Sequence, residues 1–95
     1  MIETSVVSDR YYVYILQSLQ DGGFYIGFTT NLKSRLTKHA KGEINSTKIR
    51  LPFKLIRYEY FINREDALAR EKFLKSGFGR RQLKEILKRT LRKIA

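Results

Sequence analysis

Arg35 and His39 stand four residues apart in LKSRLTKHA, so a helix there projects both from one side. The guanidinium offers a permanent positive charge and a planar fork that matches phosphate oxygens. The imidazole takes or gives a proton near neutral pH. His39 is the single histidine of 95 residues. Both residues flank Leu32, Leu36 and Ala40, a stripe expected to be buried, and are therefore expected at the rim of a core. A histidine there serves either as a hydrogen-bonded packing residue or as a proton-transfer group. Glu71 has Ala67 and Leu68 behind it and Leu74 ahead, which puts a carboxylate on the apolar face of a helix. Such a carboxylate needs an arginine partner or a bound cation to offset its desolvation. Oxygen donors suit Mg2+ or Mn2+, and Mg2+ is often held by one or two carboxylates, with water and phosphate completing its shell. Tyr14 and Tyr25 lie eleven positions apart across a turn, at strand positions where tyrosines commonly pack.

The elements that must position these groups follow from local pattern. Residues 1–10 show no sustained period and are expected to form a loose lead. YYVYIL is aromatic and β-branched, as a strand requires, and apolar enough on both faces to be a central one. Asp21-Gly22-Gly23 is a turn signal, and FYIGF is the returning strand, with Gly27 marking a bulge or a close approach. Thr30 or Asn31 caps a helix that stops at Gly42. A polar loop follows, and FKLIRYEYF alternates imperfectly as a third strand. Asn63 caps a second helix with Asp66 in its first turn, ending at Gly77. After a Phe78-Gly79 joint, Leu83, Ile86, Leu87, Thr90, Leu91 and Ile94 predict one last amphipathic helix. The expected fold is α+β, a small three-stranded antiparallel sheet flanked by helices in the order ββαβαα. Its domain is expected over residues 11–92, with 93–95 as the C-terminal end.

Composition bounds the partner. The chain carries 20 Lys and Arg against 9 Asp and Glu, a net charge of +11. A polyanion, nucleic acid foremost, is the expected partner, although ribosomal or membrane-surface binding gives similar totals, as does a basic surface without a partner. Cysteine is absent, which removes disulfides and thiolate metal sites. No apolar run approaches the roughly 20 residues of a membrane span. The start, MIETSVVSDR, lacks the basic and apolar regions of a signal peptide, so a cytoplasmic location is expected.

In order along the chain, Tyr12-Val13-Tyr14, Tyr25-Ile26-Gly27, Arg35, His39 and Glu71 resemble the signature of the GIY-YIG nuclease superfamily. The YIG half is literal and the GIY half is present as Y-V-Y. YYVYILQS, FYIGFTTNLKSRLTKH and REDALAREKFLKSGFGRRQLK look closest to its small stand-alone bacterial branch, the excinuclease-like proteins known as UPF0213. The likeness covers Tyr11 to about Arg92.

The resemblance implies a divalent-metal-dependent endonuclease acting on DNA, with roles in repair or recombination. Glu71 would hold one Mg2+ or Mn2+ and Arg35 would bind the phosphate. Tyr14 would act as general base, Tyr25 would position phosphate or water, and His39 would relay or accept the proton. Free tyrosine titrates near ~10, so Tyr14 as base requires the metal and Arg35 to lower its pKa; otherwise His39 is the better base. Many family members carry an asparagine about a dozen residues after the metal glutamate. Here that zone is Gln82-Leu83-Lys84, with Gln82 as the substitute at hand.

Lys33, Lys38, Lys41, Thr47, Lys48 and Arg50 on the first helix and its following loop, with Arg80, Arg81 and Lys84 on the last, are the expected nucleic-acid contacts. The expected state is a monomer or weak dimer. The alternatives are a catalytically weak GIY-YIG-fold binding module and a basic structural protein of a nucleoprotein particle.

Overall fold

A computed structural model describes residues 10–94, so the expected N-terminal lead falls almost wholly outside the described residues. The elements are β1 (Tyr11–Ser18), β2 (Phe24–Thr29), α1 (Leu32–Ala40), β3 (Phe53–Phe61), α2 (Arg64–Lys75), α3 (Gly77–Ile86) and α4 (Lys88–Ile94). A 3-10 turn at Lys48–Arg50 sits between α1 and β3. The sheet has the order β2-β1-β3, antiparallel throughout, as expected of an α+β fold with YYVYIL at its centre.

Local chemistry sets the boundaries. Gly22, at φ 75°, turns the hairpin, and Gly42, at the same φ, ends α1. Asn31 caps α1 by accepting from the Ser34 N–H at 3.1 Å, and Asn63 caps α2 by accepting from Glu65 and Asp66. The imperfect alternation of β3 is a bulge. Ile15 pairs with Arg57 and Leu16 with Leu55, leaving Ile56 as the extra residue.

Because side chains alternate across a strand, β1 serves two layers. Its odd positions, Val13 and Ile15, meet Phe24 and Ile26 of β2 and pack under Ala67 and Leu74 of α2, Leu83 of α3 and Leu87. Its even positions, Tyr12, Tyr14, Leu16 and Ser18, face the side where α1 lies. Residues 13–18 are all buried, the mark of a strand covered on both faces.

Two helical expectations need correction. Ala40 is exposed, and the residue that α1 buries is His39. At about 100° per residue, His39 lies about 20° around the helix from Leu32, whereas Ala40 lies about 80° away. The last helical stretch is also divided. The Ser76 hydroxyl caps α3 by accepting from the Gly79 N–H at 3.2 Å, drawing Gly77-Phe78-Gly79 into its first turn. The path then breaks at Leu87 (φ −107°, ψ 15°), which keeps Leu87 buried and lets Leu91 of α4 reach the same core.

The joint depends on close approach. A Cβ on Gly79 would collide with the Phe73 carbonyl and the Leu74 Cα, both backbone atoms, whereas one on Gly77 would meet nothing within 4 Å. Gly79→Ala is expected to lower stability by about 1–3 kcal/mol and Gly77→Ala to leave it nearly unchanged, read as paired thermal melts.

Candidate active site

Tyr14 lies at the centre of the sheet, with Gly27 directly opposite on β2. A Cβ at Gly27 would collide with the Tyr14 ring and hydroxyl, so this glycine is the space the phenol occupies. Tyr14 is 0% exposed, and its hydroxyl has two hydrogen-bond partners. It lies 2.8 Å from His39 Nε2, and Arg35 Nε donates to it at 3.4 Å. The Tyr25 ring completes the cluster, with its centroid 6.2 Å from that of Tyr14 and 5.1 Å from that of His39. Strand alternation thus supplies both tyrosines on one face, and the helical i, i+4 spacing supplies Arg35 and His39.

The second imidazole nitrogen sets the proton order. His39 Nδ1 lies 2.8 Å from Thr47 Oγ1, and that hydroxyl donates to the Ile44 carbonyl at 3.4 Å. Thr47 therefore accepts from Nδ1–H, which leaves Nε2 bare to accept from the Tyr14 hydroxyl. Donation runs from Arg35 to Tyr14, to His39, to Thr47, to the backbone.

Burial pushes the Tyr14 phenol up to about 12, outweighing the Arg35 hydrogen bond that pulls the other way. His39 is held below its ordinary value by burial first and by the Arg35 charge second. Arg35 alone therefore does not bring the Tyr14 pKa below its ordinary value, and the group ready to receive a proton is His39.

Thr47, expected as a nucleic-acid contact, is 0% exposed, and its hydroxyl is hydrogen-bonded behind His39. Arg50 has an internal partner. It pairs with Asp21 through two bonds of 2.8 and 3.1 Å, lies over the Phe53 ring, and holds the Asp21 carboxyl down to about 2. Ser18 Oγ donates to the Arg50 carbonyl at 2.7 Å and accepts from Gln20 and Asp21 N–H, so the hairpin turn anchors the segment that carries Thr47. Lys33, Lys38, Lys41 and Lys48 are exposed on the cluster's side of the sheet. Arg80, Arg81 and Lys84 are exposed on α3, in the opposite layer.

Glu71 belongs to α2, the helix whose Ala67 and Leu74 pack with Val13 and Ile15, and among the described residues no hydrogen bond or ion pair links it to Tyr14, Arg35 or His39. Its carboxylate pairs with Lys75 at 3.2 Å, the two side chains being 20% and 53% exposed, rather than with the arginine the sequence suggests. The neighbouring Arg70 is taken by Glu59 at 2.8 Å, and it also donates to Gln82 at 3.2 Å. Among the described residues no three His, Cys, Asp or Glu gather as a ready metal site. A half-buried carboxylate held only by an exposed lysine still fits a divalent ion that takes one protein ligand and fills its shell with water and phosphate.

The sequence signal for Thr47 is its place eight residues beyond His39 in a polar loop, which points to the segment and not to its bond with the imidazole. Two outcomes test the relay. In Thr47→Val the buried Nδ1–H loses its acceptor, so the ring shifts toward the Nε2–H tautomer and stability falls by about 1–3 kcal/mol, whereas Thr47→Ser retains both. Nitrogen chemical shifts of the sole imidazole report the tautomer. Because folding depresses the His39 pKa, the unfolded chain binds more protons below about 6.5, so the melting temperature falls as pH drops below that value. His39→Asn removes this slope between about pH 6.5 and 5, before the carboxylates titrate.

Comparison with known proteins shows the family. The model of the GIY-YIG catalytic domain matches residues 10–84. A UPF0213 protein of Streptococcus pneumoniae is 42% identical over 65 residues, 67% of this chain and 65% of that protein, so the match spans slightly less than two thirds of its length. The UPF0213 protein SSP2268 of Staphylococcus saprophyticus is 35% identical over 79 residues, 82% of this chain and 95% of that one. The solution NMR structure of the UPF0213 protein BH0048 from Bacillus halodurans is similar with a TM-score of 0.53 at 36% identity, covering 81% of this chain and 84% of that one. With the domain model covering its sheet, α1 and α2 and with relatives of the same kind along most of its length, the chain belongs to the GIY-YIG family, among the UPF0213 proteins.

Proposed function

We propose that the protein is a divalent-metal-dependent endonuclease that hydrolyses phosphodiester bonds in DNA. The observation that carries this reading is the directed hydrogen-bond chain Arg35–Tyr14–His39–Thr47 on one face of the sheet. As a water attacks the phosphate, Tyr14 oxygen takes its proton while the Tyr14 hydroxyl proton passes to His39 Nε2. The imidazolium so formed keeps its Nδ1–H on Thr47. The high pKa of Tyr14 is then no obstacle, because the phenol stays protonated before and after the transfer. Arg35 binds the phosphoryl oxygens, and Tyr25 positions water or phosphate. Glu71 would hold the ion, whose chemistry is charge stabilisation on the phosphate and leaving oxygen.

A second reading, a catalytically weak binding module, is favoured by Gln82 standing where many family members carry an asparagine, its side chain tied to Arg70, and by Glu71 being paired with Lys75. Labelled linear, nicked, flap and four-way DNAs with Mg2+ or Mn2+ separate the two. Chelation is expected to abolish cleavage, Glu71→Ala and Tyr14→Phe to lower it by about 10²–10⁴-fold with binding kept, and the acid limb of the rate to lie below the ordinary histidine value of about 6.5. Salt-sensitive binding with no cleavage of any substrate sinks the nuclease reading.

A further inference from the structure

Tyr12 of β1 and Tyr58 of β3 stand on the same sheet face as Tyr14. The register places Tyr58 opposite Tyr14 and Tyr60 opposite Tyr12. The Tyr12 ring lies 6.1 Å from that of Tyr58 and 5.7 Å from that of Tyr60. Tyr58 is 53% exposed, a large aromatic surface left outside the core. The helices α2 and α3 pack on the other face, so they do not cover it.

Tyr12 also forms one wall of an open groove of about 530 Å³ at the start of α1, lined in addition by Arg10, Asn31 and Lys33. An aromatic wall and cationic side chains therefore share one concavity beside the Tyr14 cluster.

We propose that Tyr12 and Tyr58 form a stacking subsite for an unpaired base of the strand held at Tyr14, Arg35 and His39. The proposal rests on the nuclease reading above for which strand is held. Tyrosine rings offer flat π faces that any base can stack on, and lysine and arginine beside them follow the backbone charge. Bases inside a duplex are already stacked on their neighbours, so only an unpaired or extruded base presents a free face. Residues 12 and 14 are one alternation apart, about 6.6–6.8 Å along the strand, a span that one extended nucleotide covers. The subsite therefore selects single-stranded or splayed nucleic acid next to the cut.

Cross-strand tyrosine pairs also stabilise sheets by themselves, and the experiment separates the two roles. Fluorescence anisotropy with the metal chelated compares an oligothymidylate of about twelve nucleotides, a duplex of equal length and an abasic strand of equal charge. The expected result is that Tyr58→Ala weakens the oligothymidylate about tenfold and leaves the duplex unchanged. Tyr58→Phe, which keeps the π face, restores binding, and the abasic strand binds wild type as weakly as the oligothymidylate binds Tyr58→Ala. Equal loss for duplex and single strand, full-strength binding of the abasic strand, or no effect of Tyr58→Ala overturns the subsite. Since binding is read without hydrolysis, an absence of cleavage would count against the nuclease reading and leave this one standing.

Discussion

A buried imidazole with both nitrogens in use is the constraint on which the even-side layer depends. His39 receives Tyr14 on one side and binds Thr47 on the other, and so joins the central strand, the first helix and the loop after it. An unpaired polar group in that position would cost about 1–3 kcal/mol, so neither partner is dispensable. The rotation of α1 about its axis follows from this, since His39 rather than Ala40 must face the sheet. The same two bonds define which nitrogen is bare, so packing and proton chemistry have a single cause.

The sheet divides labour by strand alternation. Odd positions of β1 build the apolar core with α2 and α3, and even positions build the polar cluster with α1. Tyr14 belongs to the second set but is as deeply buried as the first. That is possible because Gly27 yields its side-chain volume to the phenol and because the hydroxyl has two partners. Burial then makes the phenol a weak acid, and the proton-accepting capacity moves to His39.

The positive charge is similarly partitioned. Arg50 and Arg70 hold the fold together through Asp21 and Glu59, while lysines of α1 and the 3-10 turn remain outward on the side of the cluster. Net charge thus overstates what is available to a partner, and its useful part is set by which cations lack an internal carboxylate.

The sequence by itself determined the sheet, its central strand, the capped starts of α1 and α2, and the shared side of Arg35 and His39, while the grouping of these two with Tyr14 and Tyr25 was legible only through the family resemblance. These depend on local signals: period-2 apolar runs, Asn caps, glycine turns and an i, i+4 pair. Only the tertiary structure decided that His39 is core rather than rim, that Thr47 supports it from inside, and that Arg50 is spent on Asp21. Each of these pairs residues from different segments of the chain or distinguishes faces of one element, and neither is written in local periodicity. The division of the last helix at Leu87 is of the same kind, because the apolar pattern runs on while the core it must reach does not extend along a straight axis. Glu71 sits where its helical phase indicated, half-buried, but the layer in which that phase lay was a property of how α2 crosses the sheet.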